Sequence, residues 1–307
     1  MKLCYALRRG VFYPSQKDNF GEMPDPPLRS KYLKHVQAAG FDGVEIPIGG
    51  ALRGDVSERA AKEFGRELRD AGVPAVCVRG GGPVAHPKEG PGVRERMAKV
   101  VDYASWIGAQ VVNTTIVTPA TLANGPGAER RGEPVSQGAS RYATETDFAE
   151  TARHLRVIGQ QCADRGLKLA IEIHQGSIAD NSWSGVHLLD LIGLPNVGVN
   201  PDLGNIFWQF DHPEETCEAA IVALAPRSTY WHCKNLKRVH FEKIEKAVYL
   251  RVPLPDGDID YRFAVSAMVA AGFDGYMSIE GANTGDQLSQ DARGAAYARE
   301  LIAAARV

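Results

Sequence analysis

Long apolar runs are missing from this 307-residue sequence. Nothing is long enough to cross a bilayer as a helix. The apolar segment from Leu3 to Leu7 is too short for the core of a secretion signal. Cysteine is scarce: Cys4, Cys77, Cys162, Cys217 and Cys233 are scattered, odd in number and never spaced CxxC. That pattern argues against zinc–thiolate clusters and thioredoxin chemistry. It suits a reducing compartment, so the expected location is the cytoplasm. An excess of one charge is missing as well. With 35 basic and 37 acidic residues the formal net charge is -2, which gives no argument for a nucleic-acid or membrane partner. The glycine run Gly80 to Gly82 has no following Lys-Ser/Thr and no GxGxxG register, so it reads as a loop rather than a phosphate cradle.

What is present is ordinary for a soluble globular chain: 44% hydrophobic and 23% charged residues. Short apolar runs alternate with segments of helical periodicity. Strands are expected at Lys2–Leu7, Phe41–Ile46, Val73–Val78, Gln110–Asn113, Lys168–Glu172, Val197–Asn200, Ser228–His232 and Phe273–Ile279. Helices are expected at Leu28–Ala39, Val56–Ala71, Val93–Ile107, Thr144–Arg165, Val186–Ile192, Pro213–Leu224, Ile259–Ala271 and Ala292–Ala305. Eight alternations in this length imply a parallel sheet closed on itself, a single (β/α)8 TIM barrel over residues 1–307. An internal repeat supports this. Ala38-Ala39-Gly40-Phe41-Asp42-Gly43 recurs as Ala270-Ala271-Gly272-Phe273-Asp274-Gly275, each copy ending a helix on Gly and entering a strand. The stretch 114–143, rich in Gly, Pro, Thr and Ser, is too long for a simple connection and is expected to act as a lid. The Lys- and Arg-bearing stretch 234–251 reads as a basic loop.

Four of the expected strands end alike. Ile171-Glu172, Asn200-Pro201-Asp202, Trp231-His232 and Ile279-Glu280 each close an apolar run with an acid or a histidine. In a parallel barrel the strand C-termini share one mouth. A carboxylate behind a buried strand is costly unless paired or metal-bound. Glu172, Asp202, His232 and Glu280 are therefore candidate ligands of one divalent ion. Oxygen-rich ligation with one imidazole suits Mn²⁺ first, with Mg²⁺ or Co²⁺ as alternatives, better than a zinc–thiolate site.

With the Gly-Phe-Asp-Gly-Val-Glu entry at 40–45, Asn-Pro-Asp-Leu-Gly-Asn at 200–205, Trp-His-Cys-Lys-Asn at 231–235 and Ser-Ile-Glu-Gly at 278–281, the chain resembles the xylose-isomerase-like barrels. These are the sugar isomerase/epimerase superfamily, with D-tagatose 3-epimerase, inosose dehydratase and 3-keto-C-glycoside deglycosidase subunits among its branches. The resemblance implies metal ligation by the same four residues. It also implies removal of a proton alpha to a carbonyl through a metal-stabilised enediolate, with Glu172 and Glu280 as acid and base. Arg238 matches a substrate-contacting arginine. Two epimerase contacts differ: Asn205 stands where those enzymes carry a histidine, and Ser177 where they carry a glutamate.

His174 lies two residues past Glu172, on the same side if the strand continues, and can serve as acid or base near neutral pH. A histidine there resembles the lyase-like branches. The expected activity is thus a sugar isomerase or epimerase. The alternative is a carbon–oxygen or carbon–carbon lyase, inosose dehydratase-like or a 3-keto-C-glycoside deglycosidase subunit. Asn205, Lys234, Arg238 and Trp183 are the candidate substrate contacts. The expected partners are a small carbohydrate and, by resemblance, further copies of the chain or a second subunit, with neither nucleic acid nor membrane. Phosphodiester hydrolysis fits poorly, since a single histidine ligand and the lack of a basic surface argue against it.

Overall fold

A computed structural model describes residues 1–7, 26–47, 57–114, 140–208, 214–244, 246–282 and 286–306. The expected lid, with its charge run Glu129-Arg130-Arg131, lies outside the described residues except at its edges, as do His212 and Pro213.

Eight parallel strands build the barrel. In chain order they are β1 (Lys2–Ala6), β2 (Gly43–Pro47), β3 (Ala75–Arg79), β4 (Val111–Asn113), β5 (Lys168–Glu172), β6 (Val197–Asn200), β7 (Trp231–Cys233) and, after a hairpin, β10 (Tyr276–Ile279). The ladder runs β6-β5-β4-β3-β2-β1-β10-β7. The remaining seam is drawn together by a parallel bridge between Val199 and Ser228 and by Thr229 N–H donating to Val199 O at 3.0 Å. Strands of this type are buried on both faces and read as short apolar runs. Around them lie α1 (Pro26–Ala38), α2 (Glu58–Asp70), α3 (Gly90–Ile107), α4 (Glu145–Ala163), α5 (Ser182–Ile192), α6 (Leu203–Phe207), α7 (Cys217–Leu224), α8 (Tyr261–Ala270) and α9 (Gln287–Ala304). None of the described helices is long and apolar enough to cross a membrane, and the five cysteines are free thiols.

The repeated Gly-Phe-Asp-Gly turn has a physical cause. Gly40 and Gly272 take left-handed φ angles of 93° and 77°, which other residues adopt at a cost. Gly43 must lack a side chain, because a Cβ there would sit 2.4 Å from Val76 Cγ2. Asp42 then accepts the Leu3 N–H at 2.8 Å, tying the turn to β1.

Period-two alternation sorts the barrel interior into layers. Cys4, Cys77, Val111, Ala170 and Tyr230 pack together in a cluster apart from the main core. One step further along the same strands come Arg79, Asn113, Glu172 and His232. The apolar plug below therefore presents a polar layer above, at the strand C-termini.

Three expectations are corrected. The basic stretch 234–251 forms an antiparallel hairpin, β8 (Asn235–Phe241) and β9 (Lys246–Val252), with Val239 opposite Val248 and Arg238 opposite Tyr249. Its alternating Val, Phe and Leu residues were hidden among Lys and Arg. Helix α5 begins at Ser182, ahead of the expected Val186, because Asn181 caps it by accepting the Ser184 N–H at 2.8 Å; Trp183 is on this helix and not in a loop. Helix α7 begins at Cys217, capped by Thr216, rather than at Pro213.

Asn235 fastens the hairpin. Its Nδ2 donates to Leu254 O at 2.7 Å and Ile259 O at 3.1 Å, and its Oδ1 accepts the Ile259 N–H at 3.0 Å. Gly257 packs so closely that a Cβ would meet Asn235 at 2.1 Å. Asn235 is buried and its side chain is spent on backbone groups. Asn235→Ala is expected to lower the free energy of unfolding by roughly 2–3 kcal/mol in a urea titration, since buried polar groups left without partners cost about 1–3 kcal/mol each. An unchanged midpoint would show that the hairpin is held elsewhere.

Candidate metal centre

The four sequence-derived ligands converge. Glu172 ends β5, Asp202 caps α6 just past β6, His232 lies in β7 and Glu280 follows β10. One ligand atom from each lies within 4.8 Å of the others, and all four residues are buried. His232 Nδ1 is 3.2 Å from Glu280 Oε1 and 3.6 Å from Glu172 Oε1. It is buried there without a hydrogen bond. A ring nitrogen facing carboxylate oxygens in this way fits a shared cation.

Neighbouring groups hold each ligand. Glu45, from the middle of β2, sits with its Oε2 2.6 Å from His232 Nε2, so that Nε2 carries the proton and donates it, leaving the Nδ1 lone pair for a metal. His232 N–H donates to Asn200 Oδ1 at 2.5 Å, Asn200 Nδ2 donates to Asn113 Oδ1 at 3.1 Å, and Asn113 Nδ2 donates to Glu172 Oε2 at 3.2 Å. One chain of amides thus spans β4 to β7. Asn205 Nδ2 bridges Glu172 Oε1 at 3.3 Å and Asp202 Oδ2 at 3.0 Å, and is fixed by Ile173 O at 3.0 Å. The Gly204 N–H donates to Asp202 Oδ1 at 3.0 Å.

Three cations crowd the same layer. Lys234 Nζ is 2.5 Å from Asp202 Oδ2 and 3.0 Å from Glu280 Oε2. Arg79 Nη1 is 2.9 Å from Glu45 Oε1 and 3.8 Å from Glu280 Oε1. Arg251, on β9, is 3.9 Å from Glu280 Oε2. The electrostatics follow. Burial would raise the Glu172 carboxyl, but His232, His174 and Lys234 hold it well below the usual range. Burial would lower the His232 imidazole, but Glu45 and Glu172 lift it to about 8.

His174 stands just past β5, its N–H donating to Ala179 O at 2.9 Å. Its Nδ1 lies 2.8 Å from Gln175 O. A carbonyl only accepts, so Nδ1 carries a proton and Nε2 is the free base. Burial lowers its pKa, with Glu172, Lys234 and Asp202 in electrostatic reach. The other candidates lie apart. Arg238 is exposed on β8, and its side chain makes no ion pair among the described residues; only its N–H is used, on Asp258 at 2.8 Å. It shares a hairpin face with Arg251 and Tyr249 by strand alternation. Tyr249 packs against Phe207 and Trp208, with ring centroids 5.9 and 6.4 Å away. Trp183 is 59% exposed, stacked on His187 at 5.4 Å and edge-on to Phe148 at 5.7 Å, over the α4–α5 seam. His187, which had no evident partner in the sequence, also meets Glu145 at 3.1 Å.

Sequence reasoning passed over Glu45, Arg79, Asn113, Asn200 and Arg251. Glu45 carried a weaker form of the Glu172 signal, an acid in a buried strand two residues before its end. The asparagines carried none, since their role depends on neighbours 32 or more residues away made adjacent by the barrel, as with Asn113 and Asn200, separated by 87 positions.

The titration of His232 gives a testable consequence. Its raised pKa contributes stability to the ion-free fold that is complete below about 6.5 and lost as pH rises through about 8. Ligation makes the opposite demand, because the imidazole must give up its extra proton. Divalent-ion affinity is therefore expected to rise about tenfold per pH unit up to about 8 and then level off. Calorimetry in two buffers of different ionisation enthalpy should find roughly one proton released per ion at pH 7. A flat affinity from pH 6 to 8 would remove His232 from the ligand set.

Comparison with known proteins gives the following. The family described as xylose isomerase-like TIM barrel matches residues 33–304. Among solved structures, a xylose isomerase-like TIM barrel protein from Mycobacterium smegmatis in complex with magnesium superposes with a TM-score of 0.78 at 19% identity, covering 100% of this chain and 98% of that one. An L-ribulose 3-epimerase gives 0.72 at 15% identity, covering 99% and 95%. A mannonate dehydratase from Streptococcus suis serotype 2 gives 0.69 at 16%, covering 99% and 95%. No protein of curated function matches the sequence.

Proposed function

This chain belongs to the xylose isomerase-like TIM barrel family, and we propose from that premise that it is a divalent-metal-dependent sugar isomerase or epimerase. The family includes isomerases, epimerases and dehydratases. The observation that carries the reading is the buried quartet Glu172, Asp202, His232 and Glu280, with its ligand atoms within 4.8 Å of one another. Mn²⁺ is the favoured ion, with Mg²⁺ as the alternative that the magnesium complex of a similar fold supports. When bound, the ion supplies Lewis-acid polarisation of a carbonyl and neutralises an enediolate.

The chain's own residues do the rest. Glu172 and Glu280, on opposite sides of His232, are the acid and base that remove the alpha proton and return it. Lys234 neutralises charge on Asp202 and Glu280. Asn205 keeps the Glu172 and Asp202 carboxylates in register through one amide. The apolar barrel plug beneath and the buried position of all four ligands exclude water from the reacting carbons.

A lyase outcome has one specific support, the tautomer of His174. Its Nε2 is a free base, its pKa is lowered by burial, and it lies within reach of the Glu172 charge. Such a group can take the proton alpha to the carbonyl and then pass that same proton to a group leaving from the beta carbon. Both readings are tested by offering the Mn²⁺-loaded protein keto-sugars, keto-inositols and 3-keto-glycosides in D₂O. Solvent deuterium in a rearranged sugar supports the isomerase; release of water or an aglycone supports the lyase. Exchange that persists without metal and in Glu172→Gln would defeat the mechanism.

A further inference from the structure

Cations beside metal ligands are a puzzle if the site serves only an ion and a neutral polyol. Lys234, Arg79 and Arg251 surround the two oxygens of Glu280 at 3.0, 3.8 and 3.9 Å. Their side chains are 3%, 13% and 11% exposed. Each repels a divalent ion and weakens its binding. Against Glu45, Glu172, Asp202 and Glu280, and with His232 neutral, they leave the layer with one net negative charge. A divalent ion makes that one net positive. The surplus suits a substrate that brings negative charge of its own, in addition to the charge that develops when the alpha proton is removed.

The guanidiniums are also under-used. Arg251 Nε is buried and makes no hydrogen bond, and Arg79 Nη1, buried likewise, meets the Glu45 and Glu280 carboxylates only as ion-pair contacts at 2.9 and 3.8 Å. Arg79 is carried to the mouth by β3, and Arg251 by the hairpin strand β9. Two desolvated planar donors reaching one place from different elements suit a carboxylate or phosphate, which accepts paired N–H bonds.

We infer that the substrate carries an anionic oxygen group, read by Arg79 and Arg251 beside Glu280. The inference rests on the proposed metal-dependent reading for the ion's charge. It narrows the substrate class from neutral keto-sugars to keto acids or keto phosphates. It also assigns the hairpin a role in specificity through Arg251.

Three ketones of matched size make the test: dihydroxyacetone, hydroxypyruvate and dihydroxyacetone phosphate. Each is titrated calorimetrically into the Mg²⁺-loaded protein and into metal-free protein. At least one anionic probe should bind tenfold or more tightly than dihydroxyacetone, and which one identifies carboxylate or phosphate. Arg251→Gln should cut that preference at least fivefold, while Arg251→Lys keeps part of it. Arg251→Gln should also bind Mg²⁺ more tightly than the wild type. Arg79→Gln, if folded by circular dichroism, should act in the same direction.

Anionic probes within twofold of dihydroxyacetone would overturn the inference. So would an anion preference unchanged in both arginine variants, since the ion alone would then be reading the charge. A separate Mg²⁺ and Mn²⁺ titration without probes isolates the underlying reading. If no ion binds, the proposed function fails, and the metal-free probe titrations decide the anion site by the same criteria.

Discussion

Glu280→Gln is expected to weaken Mn²⁺ binding by at least about a hundredfold and to abolish proton exchange on any keto substrate. Glu280 is buried, and its two oxygens answer to His232, Lys234, Arg79 and Arg251 at once. The amide keeps the shape and removes the charge. Breaking one partner out of a buried ionic cluster costs about 3–5 kcal/mol, which is on the order of a hundred- to several thousandfold in affinity. Three cations then face a ligand set with one fewer negative charge, which adds to the loss. Glu172→Gln should be milder for binding, because Asn113 and Asn205 already donate to that carboxyl at 3.2 and 3.3 Å and one can re-pair with the amide oxygen. Calorimetric metal titration with circular dichroism as a control for folding checks both. Wild-type affinity in Glu280→Gln would mean that the cluster is a structural ion-pair network and not a metal centre.

Lys234→Met should have the opposite signature, with a large effect on the ion-free fold and a gain in metal affinity. Lys234 Nζ stands between Asp202 and Glu280, and all three side chains are at most 3% exposed. Without the ammonium, the buried Asp202 and Glu280 carboxylates lose the cation that stands between them. The metal-free variant should therefore lose about 3–5 kcal/mol of stability. A divalent ion replaces the missing charge, so millimolar Mg²⁺ or Mn²⁺ should raise the melting temperature far more in the variant than in the wild type. Ligand binding to the folded state alone stabilises it by mass action. Equal shifts in the two proteins would show that Lys234 and the ion do not compete for the same carboxylates.

The barrel was legible because its signals are local. Apolar runs of four or five residues, glycine helix stops and the repeated Gly-Phe-Asp-Gly turn each act within a few residues of chain. Glu172, His232 and Glu280 were legible for a related reason: an ionisable group at the end of a buried run is expensive wherever it occurs. The hairpin was not. Lys237, Arg238, His240 and Lys243 mask the alternation of Val239, Phe241, Val248 and Leu250, and the register that pairs Val239 with Val248 appears only once both strands are aligned.

By itself, then, the amino-acid sequence determined that this chain forms strand–helix units closing into a barrel, and it singled out four residues at or just past strand ends as candidate ligands. Only the tertiary structure decided what surrounds them. That Glu45 orients His232, that Asn113 and Asn200 link Glu172 to the β7 backbone, and that Arg79 and Arg251 flank Glu280 are contacts between strands distant in sequence. Such contacts depend on barrel order and register, which bring β2 beside β3 and the hairpin over β10. No local pattern encodes them, because each side chain is ordinary until the closed sheet places it beside the others.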